Sequence, residues 1–224
     1  MPKLLELFCG TKCVGKVAEP RGYDVVSLDF NPKFNATHTV DIFDWDYKQY
    51  PVGYFDVIWA SPDCRTWSLA TGGKYRTKAH IHGLGNQHQE QATMGCNMIR
   101  KVIEILKYFQ PDKWYIENPR ALLQYFPDLN DFIEEYGAYK TLVYYGNYGH
   151  GCPKPTNIWS NMDLWEKEKF PVMDADTYTM RFHNGNGKLK RYYKAFYSGK
   201  SKDRAEIRSV IPADLITRLL DLEH

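Results

Sequence analysis

Apolar positions along the chain recur with two periods. "KLLELF", "DVVSLDF" and "FDVIWAS" are short runs of consecutive apolar residues, the texture of strands buried on both faces. "ATHTVDI" is a weaker strand of the same kind, and "VGKVAEPRG" reads as a turn into a short helix. Met94, Met98, Val102, Ile105, Leu106 and Phe109 then fall at helical spacing within "TMGCNMIRKVIEILKYF". "KWYIEN" reads as a strand, "PRALLQYF" as a helix opened by proline, and "YKTLVYY" and "TNIW" as strands. "PADLITRLLDL" closes the chain as an amphipathic helix. This alternation predicts an α/β, Rossmann-like fold: a mostly parallel sheet with helices on both faces.

Two stretches break the alternation. Residues 69–90, "LATGGKYRTKAHIHGLGNQHQE", are polar, contain glycine and show no periodicity, and loops of that length are usually functional or disordered. Between Arg181 and Arg208 stand nine Lys/Arg against two acids, interleaved with Phe182, Tyr192, Tyr193, Phe196 and Tyr197. Such a stretch suits phosphates and stacked bases, and equally a solvated basic hairpin.

Composition adds limits. The chain has 224 residues, enough for one domain with a real core, and 43% hydrophobic against 25% charged residues is ordinary for a globular protein. No apolar run approaches the ~20 residues that cross a bilayer, and the N-terminus lacks a signal-peptide layout. Five cysteines, widely spread and without a CxxC pair, argue against a disulfide framework. The expected setting is therefore reducing and intracellular: cytoplasm, nucleus or a viral-host compartment. "LEH" at 222–224 reads as the start of a tag scar and is set aside.

The strand ends carry the chemistry. Phe8, Cys9, Gly10 and Thr11, with Gly15 beyond, follow the first strand, where a glycine lets backbone approach a ligand. Asp29 ends the second strand, placed to hold ribose hydroxyls, and Asp41 ends the third, placed to accept from an adenine amine. This succession favours an adenosine-type ligand. Cys64 stands past the end of "FDVIWA", in "SPDCRTWS", where a loop opens to solvent. His80, His82 and His88 form an HxH…H pattern that reads as solvated histidines, and no metal is expected.

In their order along the chain these segments resemble the motifs of the DNA cytosine-5 methyltransferases. "LELFCGTKCVG" is similar to their cofactor motif, "ASPDCRTWS" to their Ser-Pro-Pro-Cys nucleophile motif and "YIENPRAL" to their Glu-Asn-Val motif. "NYGHGCPKPTNIW" resembles their Tyr-Gly segment, and "RSVIPADLITRLL" their closing motif. The resemblance implies the Rossmann-like fold of S-adenosylmethionine-dependent methyltransferases. It also implies methyl transfer from S-adenosylmethionine to carbon 5 of cytosine in DNA. Cys64 is then the nucleophile at carbon 6, Glu117 contacts the ring nitrogen and exocyclic amine, and Asn118 helps hold them. Cofactor contacts fall to Phe8, Cys9, Gly10, Thr11, Lys12, Gly15, Asp29, Phe30, Asp41, Ile42 and Pro62. Nucleic-acid contacts fall to Arg65, Ser68, Lys74, Arg76, Lys154, Asn157, Lys188, Lys190 and Arg191. The loop carrying Lys74, Arg76 and Lys78 would close over a base extruded from the duplex.

Four departures from the family pattern matter. Asp63 replaces the second proline beside the nucleophile, where an inward carboxylate would raise the thiol pKa unless it pairs with a neighbour such as Arg65. The Gln-x-Arg-x-Arg pattern, whose arginine contacts the base, is missing, and either Lys154 or Asn157 is left to replace it. Lys12 stands where the family has glycine, and Arg208-Ser209 where it has Gly-Asn, which admits a carboxylated form of S-adenosylmethionine. Lastly, only residues 161–206 fill the interval usually taken by a target-recognition domain.

The expected organisation is a single domain: a catalytic and cofactor-binding core over 1–160, a reduced basic insertion over 161–206, and a returning helix over 207–224. The expected partner is DNA, as a duplex with a flipped base or as a single strand, without a membrane. The short insertion leaves room for a partner subunit that supplies sequence recognition. The same chemistry on RNA or a free cytosine nucleotide, and an inactive nucleic-acid-binding relative, are the alternatives.

Overall fold

The computed structural model describes residues 1–68, 74–83, 87–165, 168–173, 178–182, 189–193 and 209–223, with 178–182 and 189–193 described by backbone alone. Seven strands form one sheet in the order β3-β2-β1-β4-β5-β7-β6. They are β1 (Lys3–Leu7), β2 (Asp24–Asp29), β3 (His38–Thr39), β4 (Val57–Ala60), β5 (Lys113–Pro119), β6 (Tyr139–Tyr144) and β7 (Pro155–Ser160). From β3 through β5 the neighbours are parallel, and β7 runs antiparallel between β5 and β6.

Both sheet faces are covered. On one face, Leu5, Leu7, Ile58, Ala60 and Ile116 pack under α2 (Gln89–Phe109) and α3 (Pro127–Glu135). On the other, Leu4, Val57, Trp59, Tyr115 and Ile158 pack under α1 (Cys13–Ala18) and α4 (Ala213–Leu220). Alternate residues of each strand therefore serve opposite cores, which is why the strands read as unbroken apolar runs. A separate two-stranded antiparallel sheet joins β8 (Tyr178–Phe182) to β9 (Leu189–Tyr193).

The order of strands sets the site. After β1 the chain moves outward to β2 and β3, then returns to lay β4 on the other side of β1. Ligands of open α/β sheets bind at the carboxyl edge of such a switch point. Leu7 is in register with Ala60, so the turn after β1 and the loop after β4 leave the sheet side by side. Because β7 is reversed, the turn joining β6 to β7 lies on this same edge, beside the end of β5.

Several expectations change. "PRALLQYF" is not an α-helix: Pro119 ends β5, Leu122–Tyr125 is a 3₁₀ turn, and the helix starts at Pro127. Ala121 is fully extended, so no helix could propagate from Pro119. Helix α2 begins at Gln89, and its buried stripe is Ala92, Gly95, Cys96, Ile99, Val102, Ile105, Leu106 and Phe109, with Met94 exposed. β3 is only two residues long, and Asp41 lies beyond it. Leu222 packs against the α1/α4 core and its carbonyl accepts from Lys113 Nζ, so it belongs to the fold.

Candidate active site

The turn after β1 is unusually strained. Phe8 (φ 58°), Gly10 (φ 47°) and Lys12 (φ 58°) all lie in the left-handed region. Only glycine enters that region without cost, and Phe8 and Lys12 each carry roughly 1–3 kcal/mol of strain there. The geometry is held from below. The Gly10 amide donates to Asp29 Oδ2 at 3.0 Å and the Asn31 amide to Asp29 Oδ1 at 2.9 Å, tying this turn to the end of β2. Glu6, buried in β1, accepts from the Val14 and Gly15 amides at 3.1 and 3.0 Å and so anchors the start of α1. Burial raises the Glu6 carboxyl from its ordinary 4.5 to about 7, with the two amides opposing the shift.

An adenosine-type cofactor fits this corner. A Cβ added at Gly10 would meet nothing within 4 Å, so the space before the turn is open. Phe30, just after β2, is 68% exposed, an uncovered aromatic surface for a purine. Asp41 lies exposed beyond β3, its Oδ1 accepting from the Phe43 amide at 3.1 Å and its carbonyl from the Asp44 amide at 3.0 Å. Beside these residues a cleft of about 420 Å³ is lined by Gly10, Thr11, Lys12, Lys16, Lys33, Phe34 and Asn35. The lysines at 16 and 33 were not among the expected contacts.

Three residues expected at this site are engaged elsewhere. Gly15 gives its amide to Glu6, and a Cβ added there would fall 3.0 Å from that carboxylate and 3.3 Å from Val25, so it serves helix packing. Ile42 is a core side chain, 3% exposed, with only its backbone left to offer. Cys9 is buried, and desolvation pushes its thiol to about 12, which makes it inert.

The loop after β4 carries Pro62, Asp63 and Cys64. Pro62 is buried, and its carbonyl accepts from Asn118 Nδ2 at 2.9 Å, clamping the loop to the end of β5. Asp63 turns to Arg65, accepting from its backbone amide at 2.9 Å and pairing with its guanidinium at 2.6 Å. Cys64 is half-buried, and its thiol is raised from 9.0 to about 11, first by burial, then by Glu117 and Asp63, against the pull of Lys154. Glu117 is 6% exposed and accepts at Oε1 from the buried Tyr145 hydroxyl at 2.7 Å. Lys154 stands in the turn before β7, its ammonium 4.3 Å from the Tyr145 ring centroid. The strand order thus gathers Cys64, Glu117, Asn118, Pro62 and Lys154 at one edge.

Tyr145 was missed by sequence, because an aromatic at a strand end reads as core. Glu6 was missed as well, although a carboxylate inside a run buried on both faces must find donors, and that was a readable signal.

Two expected nucleic-acid contacts are overturned. Arg76 is 1% exposed; its guanidinium donates to the carbonyls of Ile81 (3.0 Å) and Ala92 (2.6 Å), to Cys96 Sγ (3.2 Å) and to Thr66 Oγ1 (3.2 Å). It also stacks 3.5 Å over the Trp67 ring, so no face is left for a phosphate. Asn157 is 2% exposed within the middle strand of β5-β7-β6, opposite Asn118 in register. Lys74 lies over Tyr75 and Lys78 over Tyr125, while Arg65 and Ser68 stand on the nucleophile loop. Lys188 and Arg208 lie outside the described residues, as does most of the Arg181–Arg204 stretch; Lys190 and Arg191 fall in β9, described by backbone only. His82 packs edge-on against Phe126 and His88 beside Tyr75, and among the described residues no three His, Cys, Asp or Glu side chains could hold a metal ion. No described helix is long and apolar enough to cross a membrane.

No family model matches the chain. A curated protein of Frog virus 3 (isolate Goorha), described as a probable DNA (cytosine-5)-methyltransferase, is 28% identical over 236 residues, covering 98% of this chain and 99% of that one. Among solved structures, the Entamoeba histolytica methyltransferase EhMeth superposes with a TM-score of 0.53 at 11% identity, over 78% of this chain and 58% of that one. A prophage-encoded protein of E. coli, assigned as a DNA modification methyltransferase, superposes with a TM-score of 0.50 at 13% identity, over 93% of this chain and 69% of that one. The chain thus spans somewhat over half of the Entamoeba protein. At these identities the superpositions speak to the fold, which is the Rossmann-like fold expected from the strand pattern, in the methyltransferase form that the motif resemblance implied.

Proposed function

The chain is a homologue of a probable cytosine-5 methyltransferase and has the methyltransferase fold; from that premise we propose that it methylates carbon 5 of cytosine in DNA through a covalent adduct on Cys64. The observation that carries the reading is the convergence of the Cys64 loop, Glu117 and Asn118 on the edge that also bears the strained β1 turn. S-adenosylmethionine, when bound, supplies a methyl group on a sulfonium. Gly10 and Thr11 would line its site, Asp29 would meet its ribose, Phe30 and Asp41 its adenine.

The chain's own residues do the rest. Carbon 5 of cytosine is a poor nucleophile. Addition of the Cys64 thiolate to carbon 6 moves the ring's electron pair to carbon 5, where the methyl is accepted. Glu117, as the acid, gives a proton to the ring nitrogen and accepts from the exocyclic amine, which offsets the negative charge that builds on the ring. Loss of the carbon 5 proton to water, with return of the ring-nitrogen proton to Glu117, re-forms the carbon 5–carbon 6 double bond and expels the thiolate. Asn118 fixes the loop through the Pro62 carbonyl, so the thiol is aimed by backbone and not by a flexible side chain. The base must leave its stack to reach this edge.

The interval between β7 and α4 is short, with residues 161–206 in the place of a recognition domain, which favours short sequence specificity or a single-stranded or RNA substrate as the second reading. One assay separates them. The protein is incubated with labelled S-adenosylmethionine and, separately, duplex DNA, single-stranded DNA, transfer RNA and dCMP, and the digests are searched for 5-methylcytosine. Label in duplex DNA is expected. Label only in RNA or dCMP moves the substrate, and binding without label in any arm refutes the enzymatic reading.

A further inference from the structure

Cys64 poses a difficulty that its own loop does not solve. A thiol raised to about 11 is almost wholly protonated near neutrality, and thiolate is the nucleophile. The charged groups that act on it are few. Asp63 pairs with Arg65 on the same loop and still opposes the thiolate. Glu117, on β5, opposes the thiolate. Among the described residues, the cation that favours the thiolate is Lys154, on the turn between β6 and β7. It stands over the Tyr145 ring, whose hydroxyl holds Glu117, next to the Asn118 that clamps the Pro62 carbonyl of the Cys64 loop.

Lys154 is not a casual surface lysine. Its backbone is left-handed at φ 33°, a costly conformation for a non-glycine residue, and it directly precedes Pro155. The turn is over-determined around it: Gly146 N donates to the Pro153 carbonyl at 3.2 Å, Thr156 Oγ1 to the Lys154 carbonyl at 3.1 Å, and Arg120 N to the Pro155 carbonyl at 2.9 Å. The side chain is steered as well. Its ammonium sits 4.3 Å from the ring centroid of Tyr145, within cation–π range. Tyr145 is itself fully buried and commits its hydroxyl to Glu117. One aromatic side chain therefore holds the carboxylate by its edge and the cation by its face.

Resting on the function proposed above, we infer that Lys154 is the positioning cation that supports the Cys64 thiolate. Tyr145 is the strut that sets the distance between this cation and Glu117. The strain at Lys154 buys placement: a relaxed turn would let the ammonium swing to solvent, where water screens it. The carboxylate that the chemistry requires beside the thiol is thereby offset without being quenched by direct pairing.

The test reads the thiol itself, in the protein without cofactor or DNA. Iodoacetamide alkylation of Cys64 is followed by peptide mass spectrometry from pH 7 to 10, with Cys13 as the internal comparison. In Lys154→Met the Cys64 rate at pH 8 is expected to fall about three- to tenfold while the Cys13 rate holds, and Lys154→Arg restores most of it. Tyr145→Leu, which removes the ring, should slow Cys64 as Lys154→Met does. Tyr145→Phe, which keeps the ring, should stay within about twofold of wild type. An unchanged Cys64 rate in Lys154→Met overturns the inference, and so does equal slowing of Cys13, which would mark a general structural effect. Because alkylation needs no substrate, a failure to methylate any nucleic acid would refute the proposed function and leave this result readable.

Discussion

Arg76 and Lys154 look alike in sequence, each a cation in a loop beside a proposed active-site motif, and the fold puts them to opposite uses. Arg76 is drawn beneath the nucleophile loop. It joins Thr66 and Trp67 of that loop to Ala92 and Cys96 of α2, with no carboxylate as partner among the described residues. Gly95 makes the approach feasible, since a Cβ there would fall 2.3 Å from Thr66 Oγ1 and 3.0 Å from the Arg76 guanidinium. Lys154 stays at the carboxyl edge, held over an aromatic face, where its charge favours the Cys64 thiolate. The lesson is that a cation's role follows from its acceptors. Where carbonyls and a ring enclose it, the charge is structural; where one face remains open beside a reactive group, the charge can act.

The sharpest way to break this contrast is stability. Arg76→Met leaves two buried carbonyls without their donor and removes a stacked cation. It is expected to cost on the order of 3 kcal/mol, against less than about 1 kcal/mol for Lys154→Met. Urea denaturation of both variants checks it, and equal losses would place the two residues in one class.

A smaller effect concerns the other buried charge, Glu6. Its folded-state pKa is raised, so its contribution is fully present below the ordinary 4.5 and is lost as pH climbs through about 7. Glu6→Gln cannot titrate. The melting temperature of wild type relative to Glu6→Gln should therefore fall steadily between pH 4.5 and 7. A flat difference across that window would mean that the two amide donors, and not burial, govern the carboxyl.

Much of the architecture was legible because it is local. β1, β4 and the middle of β5 are mostly apolar runs that a doubly covered sheet buries, β2 and β6 are buried toward their carboxyl ends, and the periodicity of α2 is plain over its last four turns. Proline punctuation misled once. Pro119 and Pro127 are equally good helix openers on paper, and Ala121 decides between them through a backbone conformation that tertiary contacts impose. The reversal of β7 was not legible, because residue type does not encode strand direction. That reversal is what brings Lys154 and Tyr145 beside Glu117. The same limit explains Arg76 and Asn157: their burial depends on α2 and on the flanking strands, which lie far away in sequence. Asp63 was readable through its neighbour, since an adjacent arginine two residues on is a local partner, and the ion pair forms as expected.

The claim on which the rest depends is that Cys64 becomes covalently joined to cytosine. A DNA duplex carrying 5-fluorocytosine tests it directly, since fluorine at carbon 5 cannot leave as the proton does and the adduct cannot resolve. With S-adenosylmethionine present, intact-mass and peptide mass spectrometry should find the DNA attached at Cys64 in wild type and absent in Cys64→Ala. Attachment at another residue, or label transfer to ordinary DNA that survives Cys64→Ala, would contradict the account.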